Sequence, residues 1–178
     1  MEIAIGIGQG AGLAIACGLA ALLPLGILAL AALLGWTPAT LALVDERALL
    51  AGAWILGIAE AGVRLRLPIP VRMALSAVAG SATFELAAGG AIPWIGVALG
   101  APLAAVTAWA MGRMADGAVA GGGPIWGVTA LLGAAAIVAA ALAIIPFVGF
   151  ALVLAAAWLA LRTLRGDRER YAGLRVLK

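Results

Sequence analysis

The chemistry available to this chain rests on very few side chains. Glu85, in SATFELAAGG, is an acid inside an apolar run, with no base in the same helix turn. A carboxylate at membrane depth costs about 2.5–3.5 kcal/mol unless it is protonated, paired or wet. Ser81 lies four residues earlier and Ser76 two turns back, so the three could form a polar stripe on one helix. Such a stripe reads as a proton- or cation-linked site in a translocation path. A protonated Glu85, hydrogen-bonded to a neighbouring helix for assembly, explains the same residues. Glu60 precedes Arg64 by four, the favourable order for a structural ion pair on a helix. Gln9 can bond across helices. Asp116 falls in the stretch 114–123, which reads as a water-facing loop. Cys17 reads as a small packing residue.

Absences narrow the chemistry further. The chain has no His and one Cys. Ser–His–Asp catalysis, haem ligation by His, a disulfide within the chain and a thiolate zinc site therefore have no residues to use. No metal site, no cofactor and no enzymatic activity are expected.

These residues must be positioned by an unusually apolar chain. Of 178 residues, 66% are apolar and 11% charged, with a mean hydropathy of +1.20. A soluble domain is about half apolar and a quarter charged. The fold class expected is an all-α polytopic membrane protein of about six transmembrane or half-spanning helices. Residues 1–161 would form a single transmembrane domain, and 162–178 a basic amphipathic cytoplasmic tail. That tail carries six bases and two acids, for +4, while the rest of the chain is −1. Following a long apolar segment, it reads as an anchor on anionic lipid headgroups and not as a nucleic-acid site.

Residues 3–35 form one apolar run, too long for a single span and broken at Pro24 in LLPLG. It is a kinked span plus a half-helix, or a tight hairpin. Thr37 and Pro38 mark a helix start, and the cluster Asp45, Glu46, Arg47 an interface. Further helices are expected at 48–64, 71–88, 94–112, 124–143 and 147–164. Arg64, Arg66 and Arg72 cluster in one connection, and with Arg113 and the tail they mark the cytoplasmic side. Trp36 and Trp94 then fall near the outer boundary, and Trp109 and Trp126 near the inner one.

Two stretches of the chain repeat. Residues 71–104 and 124–157 align without gaps, with 11 of 34 positions identical, including Pro93/Pro146 and Gly96/Gly149. Roughly four or five matches would come from composition alone. This reads as two parallel-repeated, Pro-centred helical hairpins, with units of about 71–115 and 124–168. Their turns, IPWIG and IPFVG, are apolar, and LLPLG resembles a degenerate third copy. Apolar turns either pack below the surface, line a vestibule, or sit as short loops among the headgroups. Pro24, Pro93, Gly96, Pro146 and Gly149 are thus hinge or re-entrant turn candidates.

Ala and Gly supply 71 of the 178 residues, and small residues let membrane helices approach closely. GIGQGAG contains two GxxxG pairs, Gly6/Gly10 and Gly8/Gly12, a helix-packing face within the chain or in a homo-oligomer. As a nucleotide loop it lacks the Lys–Ser/Thr of a P-loop and a preceding strand.

The opening GIGQGAGLAIACGLAALLPLGILALAALLG and the closing RERYAGLRVLK resemble a family of small bacterial membrane proteins, domain of unknown function forty-one twenty-six. The spacing from Glu60 to Pro68 is similar to that family's acid-then-Pro connection. The resemblance implies a multi-pass protein of a bacterial cytoplasmic membrane and brings no known activity. Two functions are expected: a small transporter or flippase-like protein for a small or lipid-like substrate, proton-linked through Glu85, or a non-catalytic structural or assembly subunit of a membrane complex.

Overall fold

A computed structural model of the protein describes residues 2–35, 46–88, 94–145 and 147–172. Among the described residues there are seven α-helices and no strand. They are α1 (Glu2–Leu19), α2 (Leu23–Leu33), α3 (Glu46–Arg64), α4 (Ile69–Ala88), α5 (Ala101–Ala120), α6 (Ile125–Ala143) and α7 (Val148–Ala172). A π-helical turn, Gly96–Gly100, leads straight into α5. Three segments are long and apolar enough to cross a membrane: Gly96–Ala120, Ile125–Ala143 and Val148–Arg165.

Proline and glycine set most of the boundaries. Pro24 has no N–H for the Ala20 carbonyl and its ring crowds that carbonyl, so α1 stops before it. Leu67–Pro68 separates α3 from α4 for the same reason. Gly121 to Gly123 end α5, with Gly122 at φ 93°, where a side chain would be strained. In the π turn, the Ala101 N–H bonds back to the Gly96 carbonyl. This wide winding precedes Pro102, whose ring would crowd the Ala98 carbonyl in a regular helix.

Several expectations need adjusting. The helix expected at 94–112 runs to Ala120, so Asp116 is helical and not in a loop. The helix expected at 147–164 continues unbroken to Ala172. Residues 3–35 are not a tight hairpin, because α1 and α2 hardly touch; α2 packs on α3 and α6 instead. Thr37, Pro38, Trp36, Asp45, Pro93, Pro146 and the end of the tail lie outside the described residues.

α1 is the axis of the bundle. Residues 8–21 are all buried, and α4, α5, α6 and α7 pack around them. A helix in that position can carry no large side chains where two neighbours press on it. Residues two apart point about 200° apart on a helix, so the two glycine pairs face opposite ways. Gly6 and Gly10 meet Ala87, Ala88 and Phe84 of α4. Gly8 and Gly12 meet Phe150, Ala143 and Gly149, where α6 turns into α7. Both GxxxG pairs are therefore used inside the chain. The outer surface is apolar, with Ile55, Ile58, Val78, Leu131 and Leu154 all well exposed.

A methyl group on Gly149 would collide with the Gly8 carbonyl, whereas one on Gly62 meets nothing. Gly149→Ala should destabilise the protein by about 1–3 kcal/mol, while Gly62→Ala should match or slightly exceed wild type. Thermal unfolding in one detergent checks this. Equal midpoints for the two variants would contradict the α1–α7 contact.

Candidate functional site

The break between α1 and α2 separates a pair of backbone groups. In a continuous helix the Leu22 N–H would donate to the Gly18 carbonyl. Here each group finds a side chain of α3 instead. Arg64 Nη2 donates to the Gly18 carbonyl at 2.7 Å and to Ser76 Oγ at 3.0 Å. The Leu22 N–H donates to Glu60 Oε2 at 3.4 Å. Glu60 Oε1 and Arg64 Nη1 form the ion pair read from the sequence. Glu60 is 8% exposed and Arg64 4%, so the pair is a plug in the bundle and not a rim contact. Its polarity suits the break: the cation sits at the C-terminus of α1 and the anion at the N-terminus of α2.

Arg72 is also inside. Of Arg64, Arg66 and Arg72, which the sequence places in one cytoplasmic connection, only Arg66 is exposed. Arg72 Nη2 reaches both oxygens of Asp116, at 2.9 and 3.0 Å. Its Nε donates to the Leu67 carbonyl at 2.8 Å, bracing the α3–α4 connection. Asp116 is thus a paired residue of α5 and not merely solvated. Arg72 Nη1 is buried with no hydrogen-bond partner among the described residues, beside Gly112.

Two further breaks are tied as well. Gln9 Nε2 donates to the Ile144 carbonyl at 2.6 Å, where α6 ends. The Gly96 N–H donates to Glu85 Oε2 at 2.9 Å, where the π turn begins. Trp94 and Phe147, the aromatics of the two IP turns, both adopt positive φ, 69° and 68°. Bulky residues enter that region only when their surroundings enforce it.

Glu85 and Ser81 line one open groove of about 710 Å³ with Ala77, Val78, Ala82, Trp94, Val97 and Ala101. Gly96 is required beneath it, because an added methyl would strike the Ser81 carbonyl and approach Glu85 Oε2 to 2.9 Å. A second groove of about 370 Å³ shares Val78 and Ala82 and reaches Glu60 and Leu22. Ser76 does not join the stripe. It lies five residues before Ser81, about 140° round the helix, and is fully buried against Arg64. Cys17 is buried beside Thr83, at 3.5 Å from its hydroxyl. Among the described residues no three metal-ligating side chains come together.

The sequence reading missed Ser76 as an Arg64 partner, the Arg72–Asp116 pair, and Trp94 as a groove wall. The signal for the last was present: Trp94 follows Pro93 in the turn nearest Glu85. No family model matches the chain, and neither a curated protein nor a solved structure matches it.

Arg64→Met should cost about 3–5 kcal/mol, because it strands a buried carboxylate. Adding Glu60→Leu should recover part of that loss, yet stay below wild type, since Gly18 and Leu22 lose their partners. Unfolding free energies of the four proteins of this cycle test the arrangement. Full recovery in the double variant would mean that the pair does not bridge the break.

Proposed function

We propose that this chain is a small membrane transporter or flippase-like protein that moves a small or lipid-like substrate along the groove beside Glu85. The observation that carries the reading is the groove itself. It is open at the apolar surface, large enough for a ligand, and lined by one carboxylate and one hydroxyl among apolar walls. Among the described residues that line it, Glu85 is the only titratable side chain, so protonation there is the coupling step of the proposal. A protonated Glu85 loses the charge in its bond to the Gly96 N–H, which loosens the start of the π turn.

The rest of the reading follows the membrane setting. The chain crosses a bacterial cytoplasmic membrane about six times, counting half-spans, with Arg113 and the C-terminus on the cytoplasmic side and the tail on anionic headgroups. The units 71–115 and 124–168 are a parallel repeat, which the shared positive φ of Trp94 and Phe147 supports. Membership of the family of domain of unknown function forty-one twenty-six belongs to the same proposal. So does a homo-oligomer, whose contacts would fall outside α1, for example at the open Gly52 and Gly62 of α3. The second reading, a structural or assembly subunit, is favoured by one fact: Gln9, Glu60, Arg64 and Glu85 each tie a helix break.

Translocation of a fluorescent lipid across proteoliposomes separates the two. The transport reading expects acceleration by the wild type and a loss of about tenfold in Glu85→Gln. Acceleration unchanged in that variant removes the proton link. No acceleration by a folded wild type removes transport and leaves the structural subunit.

A further inference from the structure

We propose that the groove beside Glu85 binds a lipophilic monocation, with its cationic head against Glu85 and Trp94 and its apolar body along Val78 and Val97. This deepens the transport reading and rests on it for the groove's purpose, though not for its chemistry. Four observations point the same way. First, the carboxylate is only half engaged. Oε2 takes the Gly96 N–H, and no further hydrogen bond reaches Glu85 among the described residues. Second, the charge is unbalanced over a long stretch. From Met73 to Gly112 the sequence has no Lys, Arg or His, and Glu85 is its single acid. No protein cation in this hairpin competes for the carboxylate.

Third, the groove holds an indole as well as the acid. Trp94 is 77% exposed and lines the same groove. Its backbone is held at φ 69°, in the turn that the Glu85–Gly96 bond closes. A carboxylate and an indole face together make an attractive site for a weakly hydrated cation, through Coulomb attraction and cation–π contact. Fourth, apart from the Ser81 hydroxyl the remaining walls are apolar: Ala77, Val78, Ala82, Val97 and Ala101. At about 710 Å³ the groove is in the size range of ligand sites.

The same lining argues against other occupants. A zwitterionic phospholipid would bring its phosphate close to Glu85, with no base to receive it. An uncharged chain would bring no counter-charge to the carboxylate in these surroundings. A monocation whose charge is spread over apolar groups satisfies both the acid and the walls.

The test uses the full chain in nanodiscs of neutral lipid, with empty discs subtracted. Equilibrium dialysis would measure tetraphenylphosphonium and its anionic counterpart of similar shape, tetraphenylborate. Saturable binding of the cation alone is expected. Glu85→Gln, which keeps an acceptor for the Gly96 N–H, should weaken it about tenfold or more. Val97→Trp, at an exposed groove wall, should block it without touching the acid. Equal binding of both ions by the wild type would overturn the proposal, and that comparison needs no variant. Undiminished cation binding in a folded Glu85→Gln would overturn it too. Cation binding without lipid translocation would sink the flippase reading and leave this site standing. Lipid translocation without cation binding would do the reverse.

Discussion

A backbone N–H or carbonyl inside an apolar bundle has no water to bond, and each broken helix exposes such groups. Three of this chain's helix breaks fall at the apolar sequences LLPLG, IPWIG and IPFVG. At each one a polar side chain from another element meets a freed backbone group. Arg64 and Glu60 replace the lost bond between Leu22 and Gly18. Gln9 takes the last carbonyl region of α6. Glu85 takes the first N–H of the π turn. Gln9, Glu60 and Arg64, three of the buried polar side chains, are spent on this task. The scarcity of charge in the sequence and the number of breaks are therefore two sides of one constraint.

That constraint also explains why α1 is the axis. Gln9 can reach Ile144 only if α1 lies close against the α6–α7 turn, and Arg64 can reach Gly18 only if α1 ends beside α3. Close approach on both faces excludes large side chains, so the helix is built from Gly and Ala where its neighbours press. The Gly8–Gly149 contact is the extreme case, with backbone against backbone. The polar ties and the small residues support each other. A bulky substitution at Gly12 moves α7, and a moved α7 takes the Ile144 carbonyl from Gln9.

Much of this architecture was legible in the residues. Prolines and glycines marked the breaks, and helix boundaries for α3, α4 and α6 fell within two residues of expectation. The Glu60–Arg64 spacing announced its ion pair, and Gln9 announced a bond across helices. Other features were not legible, for physical reasons. Arg72 sits in the first turn of α4, where a base normally faces water, and only tertiary packing brings it to Asp116, 44 residues away. Ser76 looked like part of the Glu85 stripe until helical phase placed it on the opposite side. The partner of Glu85 is a backbone N–H, and a sequence of side chains carries no mark for it. The π turn is similarly silent, apart from Pro102.

Glu85 is where two demands meet on one carboxylate. One oxygen holds the turn that starts α5, and the same side chain lines a groove whose wall includes Trp94 of that turn. A ligand charge placed there and the Gly96 N–H draw on the same negative charge, so occupancy and turn geometry are thermodynamically linked. Gln9, which ties the IPFVG turn, has no charge to share. Trp94 and Phe147, one in each turn, share the same rare backbone conformation. The turns differ in that one is tied by a neutral amide and the other by an acid. A neutral tie is enough to close an apolar turn, as Gln9 demonstrates, so closing the turn does not account for the charge on Glu85.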